Sequence, residues 1–117
     1  MSNDLDFAYD LAQIEPWPVP RRAFVIAEVG INHNGDIALA KQLIAMARDV
    51  GCDAVKFQKR TVERVYSKEV LESPRESPWG TTTRAQKEAL EFGRAAYDEI
   101  DAFCREKGII WFASAWD

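Results

Sequence analysis

Four polar residues near the ends of apolar segments have side chains suited to a substrate site: Glu28, Lys56, Gln58 and Ser114. A lysine ammonium group can bind an anion, while a carboxylate can transfer protons or face another part of the same substrate. Amide and hydroxyl groups can hydrogen-bond a polar ligand, and a serine can donate to a phosphate. These residue types therefore suit a site for an anionic substrate.

A structural role is the competing interpretation for each of them. Glu28 and Lys56 on neighbouring strands could form a buried ion pair, in which the cost of desolvation offsets the attraction. Ser114 could simply mark the exit from a strand. The two interpretations of the ion pair are compatible, because Lys56 could bind an anion while Glu28 faces another part of the substrate.

The polar run Asn32-His33-Asn34-Gly35 follows the first apolar segment. His33 is the only histidine in the chain, and it could act as an acid or base or donate to an anion. The same run is typical of a turn, since Asn34-Gly35 suits a backbone with positive φ, and a turn would leave the histidine solvated. Asn32 and His33 are therefore possible site residues without a firm role.

The first predicted elements form a strand–helix–strand unit. Residues 24–29 predict a buried strand, and Asp36 is placed to cap a helix whose apolar residues recur at helical spacing. Gly51 suits the end of that helix, and residues 53–58 predict a second strand. Such a unit normally joins two parallel strands through a right-handed crossover.

The second connection is longer and less regular. Residues 59–82 contain several turn signals, and 65–71 could form one short helix. The stretch 83–86 resembles a capping box at the start of a helix that ends at Lys107-Gly108, although Gly93 argues against one unbroken helix. Residues 109–114 predict the third strand.

Alternation along the strands places the four site residues on one side and near one end of the predicted sheet. In a (β/α)8 barrel, inward side chains at the carboxyl ends of the strands commonly act on substrate. Parallel strands with bulky apolar residues on both sides need cover on both faces, and only two crossover helices are predicted. The sequence therefore predicts part of a larger α/β protein.

Composition narrows the other possibilities. The 117 residues carry a net charge of −4, which gives no basic surface for nucleic acid. One histidine and two cysteines without a C-x-x-C pair argue against a zinc site, and Cys52 and Cys104 are interpreted as reduced core residues. Lys59-Arg60 is interpreted as solvated surface charge. Because no secretory signal or membrane-spanning run is seen, we expect a cytoplasmic protein without membrane contact.

Several segments together resemble the N-acetylneuraminate (sialic acid) synthase family. Residues 26–35 closely resemble the opening motif of that family, and 53–58 match its second-strand motif. Three further segments resemble the family at the expected spacing: Trp79-Gly80, Leu90-Glu91-Phe92-Gly93 and Trp111-Phe112-Ala113-Ser114-Ala115-Trp116-Asp117. The last of these departs from the Thr-Pro-Phe-Asp form that is common in the family.

The resemblance implies an α/β fold in which residues 23–117 form the N-terminal part, about three strands, of a truncated (β/α)8 TIM barrel. Residues 1–22 are expected to be a lead-in segment. The implied reaction condenses phosphoenolpyruvate with an N-acetylated aminosugar such as N-acetylmannosamine, and it gives a nine-carbon sialic-type acid and phosphate. A divalent metal, Mn or Mg, is implied for the parent enzyme, with its ligands beyond residue 117. The parent is expected to be a homodimer.

The same resemblance implies a role for each site residue. Glu28 would be catalytic, contacting the sugar or transferring a proton, and Gln58 would hydrogen-bond the sugar. Lys56 and Ser114 would bind phosphoenolpyruvate. The 117-residue chain alone is expected to be inactive, because the metal ligands lie outside it.

Three alternatives stay open at this point. One is a pseudaminic or legionaminic acid synthase of the same family, and another is a different phosphoenolpyruvate aldolase on the same barrel. The third is a catalytically inactive structural fragment.

Overall fold

The computed structural model describes residues 22–117, so the predicted lead-in, apart from Arg22, lies outside the described residues. Three parallel strands form the main sheet in the order β1-β2-β5, and β3 and β4 form a separate antiparallel hairpin. The elements in chain order are β1 (Ile26–Gly30), α1 (Ile37–Asp49), β2 (Ala54–Lys59), α2 (Val62–Val65), α3 (Lys68–Glu72), β3 (Pro74–Ser77), β4 (Gly80–Thr82), α4 (Thr83–Ala89), α5 (Arg94–Lys107) and β5 (Ile110–Ala115).

The hydrophobic core lies on one face of the sheet, where the long helices α1 and α5 both pack. Val55 and Phe57 of the central strand are fully buried there, against Ile44 of α1 and Ile100 of α5. Burial of side chains of this size contributes about 1.5–3 kcal/mol each. The core therefore fixes how the strands lie relative to the two helices.

The opposite face of the sheet is open in the described part of the chain. Ile26, Ile110 and Phe112 lie on it and are 45%, 57% and 39% exposed, respectively. Both crossover helices are used on the first face, so neither covers these side chains. The prediction that two helices are too few to cover both faces of the sheet is confirmed for residues 22–117.

The loop between β1 and α1 has the predicted turn and cap. Asn34 and Gly35 have φ values of 55° and 74°, and the Asp36 carboxylate accepts hydrogen bonds from the backbone N–H groups of Ala38 and Leu39. Such a cap contributes about 1 kcal/mol. Gly51, with a φ of 92°, follows the end of α1 as predicted.

The second crossover is more finely divided than the sequence pattern predicts. The short helix predicted over 65–71 is found only in part: α3 begins at Lys68, whereas Val65 ends the separate helix α2 and Tyr66 and Ser67 lie between the two. Ser67 caps α3 by accepting from the Val70 N–H, and this cap starts a new helix where one continuous helix was expected. The hairpin β3–β4, which follows, was not predicted.

The capping box predicted at Thr83 is also wrong. Thr82 is the capping residue, and its hydroxyl accepts from the Ala85 N–H, while the Thr83 hydroxyl donates to the Ser73 carbonyl instead. The helical pattern that follows is broken between α4 and α5, where Gly93 precedes the first residue of α5. Gly93 therefore separates two helices, in agreement with the argument against one continuous helix.

Arg22 and Asp53 connect the segment before β1 to the start of β2. The guanidinium donates to both carboxylate oxygens, at 2.8 and 2.5 Å, and the Val25 N–H donates to the same carboxylate at 2.7 Å. These bonds to the ionised form lower the pKa of Asp53 to about 2.

Among residues 22–117, no helix is long and apolar enough to cross a membrane.

We expect Gly35→Ala to destabilise the fold strongly and Gly108→Ala to do so only mildly. Both glycines have a φ near 70°, but a Cβ on Gly35 would lie 2.1 Å from the Ala89 carbonyl oxygen, whereas nothing lies within 4 Å of a Cβ on Gly108. The shared backbone strain costs roughly 1–2 kcal/mol, so the clash is what separates the two variants. Urea unfolding measures both, and equal losses would contradict the steric role of Gly35.

The Asp53 carboxylate predicts a pH-dependent contribution to stability. Its pKa of about 2 in the fold lies below the ordinary value of about 3.9. Ionised Asp53 therefore stabilises the fold above about pH 4, and this contribution is lost as the pH falls towards 2. The difference in thermal midpoint between wild type and Asp53→Asn should shrink over that interval, and a difference that stays constant would refute the assignment.

Candidate functional site

The parallel register places the predicted site residues side by side. Glu28 lies opposite Lys56 across β1 and β2, and Gln58 lies opposite Ser114 across β2 and β5. All four belong to the open face of the sheet and lie towards the carboxyl ends of the strands. The structure thus brings together the residues that alternation along the strands predicted to meet.

The Glu28–Lys56 ion pair is formed, with Nζ 2.5 Å from Oε2, but it is not buried. The Glu28 side chain is 49% exposed and that of Lys56 is 27% exposed. The expectation of a buried pair is therefore wrong, because no described element covers this face. Since surface pairs contribute little to stability, the pair leaves both groups accessible to a ligand at small energetic cost.

Gly30 lies next to the side chains of both Glu28 and Gln58. A shift in the β1–β2 register between Glu28 and Gly30 brings Gly30, with a φ of 55°, next to both side chains. A Cβ at this position would lie 3.2 Å from Glu28 Oε1 and 3.2 Å from Gln58 Nε2. An acceptor, Glu28 Oε1, and a donor, Gln58 Nε2, therefore both border the space above a residue that has no side chain.

The other two predicted residues have different environments. Ser114 is half-buried on β5, where it is the register partner of Gln58. Asn32 is exposed and, together with Glu28, lines a cavity of about 240 Å³ whose remaining lining is mostly apolar. Asn32 is thus close to the site, but it is on the loop and not on the strand face.

His33 is buried rather than solvated, so the turn interpretation was wrong on this point. Its side chain is 1% exposed, its ring stacks on Phe92 with centroids 4.0 Å apart, and Nδ1 accepts from the Gly35 N–H at 2.9 Å. Burial lowers the pKa of His33, and the bond to Nδ1 leaves the proton of the neutral ring on Nε2. In this arrangement His33 holds the loop against the 90–93 segment.

Arg60 is the residue of this region whose environment the sequence analysis missed. It was interpreted as solvated, yet it is 6% exposed, and its guanidinium donates to Gln58 Oε1 at 2.5 Å and to the Tyr66 hydroxyl at 2.7 Å. Its Nε lies 3.2 Å from Glu91 Oε1, but the Nε–H has no hydrogen-bond partner in the described part of the chain. Its position two residues after Gln58 was the only signal in the sequence.

The metal implied by the family resemblance finds no ligand set in this part of the chain. No group of three or more His, Cys, Asp or Glu side chains within residues 22–117 converges to hold an ion. His33 is turned into the core, and the Glu28 carboxylate is paired with Lys56. The residues described therefore do not fit a metal centre by themselves.

Comparison with known proteins gives relatives that are named as synthases. The chain is 42% identical over 96 residues to human N-acetylneuraminate-9-phosphate synthase, covering 80% of this chain and 27% of that protein. It is 32% identical over 107 residues to the N,N'-diacetyllegionaminic acid synthase of Legionella pneumophila, covering 89% of this chain and 30% of the relative.

A solved structure has a similar fold. The crystal structure of the N-acetylneuraminic acid (sialic acid) synthetase of Leptospira borgpetersenii, in complex with citrate, matches with a TM-score of 0.66 at 28% identity. The match covers 83% of this chain and 30% of that one. The present chain therefore spans less than a third of the length of each of these three relatives.

A sequence profile of the NeuB family matches residues 43–117, which is more than half of the chain and includes Lys56, Gln58 and Ser114. The resemblance seen in the sequence motifs is thereby confirmed. With its parallel α/β fold and its synthase relatives, this chain belongs to the NeuB family.

Proposed function

We propose that the open face of this sheet is part of a synthase site that condenses phosphoenolpyruvate with an N-acetylated aminosugar. The observation that carries the proposal is the accessible Glu28–Lys56 pair, with Gln58 next to it over Gly30. The product would be a sialic-type acid, and phosphate would be released. The names of the synthase relatives support this class of product.

Lys56 suits the anionic substrate. Its ammonium group has three N–H donors, and the contact with Glu28 Oε2 uses one of them. Phosphoenolpyruvate carries a carboxylate and a phosphate, so the remaining donors can bind it while Glu28 keeps the lysine in place. Ser114, which lies on the neighbouring strand, can donate to the same anion.

Glu28 and Gln58 suit the sugar. Glu28 Oε1 is an acceptor and Gln58 Nε2 is a donor, and both lie within reach of one group above Gly30. A sugar hydroxyl can donate to the first and accept from the second at the same time. In the condensation, the enol carbon bonds to the aldehyde carbon, water adds at the former enol position and phosphate leaves. Glu28 is placed to hold or move a proton at the new hydroxyl.

We also propose that the sheet is the first three strands of a (β/α)8 barrel. Sequential strand order with both crossover helices on one face supports this, because a doubly wound sheet would place helices on both faces. The apolar side chains on the open face would then point into the barrel. The divalent metal and the homodimer belong to this proposal for a whole enzyme, and no step is assigned to either.

The Legionella relative favours a second candidate, a legionaminic acid synthase. The two candidates differ in the aminosugar and share the anionic substrate. Competition between N-acetylmannosamine and a diacetylated aminosugar, measured on a complete synthase that carries this sequence, separates them by the ratio of kcat/KM.

Phosphoenolpyruvate should bind through Lys56. Loss of one charge-assisted hydrogen bond costs roughly 1.5–3 kcal/mol. Lys56→Ala should therefore raise the dissociation constant for phosphoenolpyruvate by roughly 10- to 100-fold. Titration of the chain with phosphoenolpyruvate, followed by amide NMR shifts, measures this change.

Lys41→Ala is the matched control for the lysine experiment. Lys41 also forms an ion pair, with Glu99 at 3.1 Å, but it lies on the helical side of the sheet. The control should leave phosphoenolpyruvate binding unchanged. A folded wild-type chain without ligand-induced shifts, or equal weakening by both variants, would remove the support for an anion site at Lys56.

Gly30→Ala should disturb the sugar site more than it disturbs the fold. The new methyl group would push Glu28 Oε1 and Gln58 Nε2 apart, and both belong to flexible side chains that can move aside. Gly108→Ala shares the positive φ and lies in open space, so it controls for backbone strain. In a complete synthase, we expect KM for the aminosugar to rise in Gly30→Ala only. Equal changes in the two variants would contradict a ligand position over Gly30.

A further inference from the structure

Arg60 is a buried cation, and two of its guanidinium nitrogens donate to particular partners. Its side chain contacts Gln58, Glu91 and Tyr66, and its guanidinium carbon lies 4.1 Å from the centre of the Trp116 ring. A charged side chain with 6% exposure is rare unless it is paired and hydrogen-bonded. The arrangement is therefore built around the position of this guanidinium.

The bond from Arg60 to Gln58 fixes which way the Gln58 amide faces. A guanidinium can only donate, so the atom of Gln58 that it touches at 2.5 Å must be the carbonyl oxygen. The amide nitrogen is then turned away from Arg60, towards Glu28 Oε1 and Gly30. Without Arg60, the amide could present either its oxygen or its nitrogen to the site.

The partners of Arg60 hold it from several sides. Glu91 approaches Nε at 3.2 Å, and the same carboxylate accepts from the Arg60 backbone N–H and from Lys59 Nζ. The Tyr66 hydroxyl accepts from a second guanidinium nitrogen, and the Trp116 indole covers the flat face. A planar group that is bonded at its edge and stacked on its face has little freedom to rotate.

We propose that Arg60 is a positioning residue that holds the Gln58 amide with its N–H donors directed into the site. The proposal rests on the proposed function, in which Gln58 meets the aminosugar. It makes the sugar group at this position a hydrogen-bond acceptor, such as a hydroxyl or N-acyl carbonyl oxygen. Trp116, where the sequence departs from the common family form, supplies the stacking surface for Arg60.

The orientation can be tested without any ligand. The Gln58 side-chain amide signals, assigned by their loss in Gln58→Glu, should show a heteronuclear NOE close to that of the backbone in the wild-type chain. Arg60→Met should lower this NOE towards that of Gln42, which is exposed on α1. Arg60→Lys, which keeps the positive charge and N–H donors but loses the planar guanidinium, should recover part of the effect.

Two further variants serve as a control and as a substitute for Arg60→Met. Arg94→Met removes a side chain that is 90% exposed and should leave the Gln58 signals unchanged. If Arg60→Met does not fold, Trp116→Leu removes only the stacking partner, which is 53% exposed, and should loosen the Gln58 amide to a smaller extent. Unchanged Gln58 signals in folded Arg60→Met or in folded Trp116→Leu would overturn the proposal.

Kinetics on a complete synthase carrying this sequence separate the positioning role of Arg60 from the proposed function. Arg60→Met should raise KM for the aminosugar by roughly tenfold, the ratio expected for one misplaced hydrogen bond. KM for phosphoenolpyruvate should stay within about twofold. Equal changes in both KM values would contradict positioning through Gln58. A wild-type enzyme that does not use an aminosugar would overturn the proposed function, while the ligand-free NOE would still decide the role of Arg60.

Discussion

Alternation along the central strand β2 couples the core of this protein to its site. Val55 and Phe57 point into the core and are fully buried, so they fix the strand against both helices. Lys56 and Gln58, the residues between and after them, must then face the other side. A slip of one residue would turn the site into the core, at the cost of burying a lysine. The register that packs the core is therefore the register that builds the site.

The loop after β1 packs against the segment that joins α4 to α5. The imidazole of His33 in this loop stacks on Phe92, and Gly35 approaches the Ala89 carbonyl so closely that no side chain fits. Glu91, which lies two residues after Ala89, contacts Arg60 at the end of β2. Two segments that are distant in sequence, 30–35 and 89–92, thus close around the carboxyl ends of β1 and β2. This contact explains physically why both segments belong to the recognisable motifs of the family.

The sequence predicted those features that depend on local or periodic rules. Strand alternation placed Glu28, Lys56 and Gln58 together, and the Asp36 cap follows from side-chain chemistry at a helix start. The burial of His33 and Arg60 was not predictable in this way, because their partners lie 59 and 31 residues further along the chain, at Phe92 and Glu91. The division within residues 65–71 was missed because the hydroxyl of Ser67 caps a new helix inside that pattern.

Lys56 on β2 and Arg60, the residue after β2, are two cations that differ in burial, and the difference suits them to different roles. Arg60 is 6% exposed, and two of its guanidinium nitrogens already donate to Gln58 and Tyr66, so a ligand would have to displace these bonds. Lys56 is 27% exposed and shares one short contact with a carboxylate that is itself half-exposed. A ligand anion can replace water around Lys56 without breaking the core. Glu28 and Lys56 therefore suit contact with substrate, whereas Arg60 acts through Gln58, and this division follows from which face of the sheet is covered.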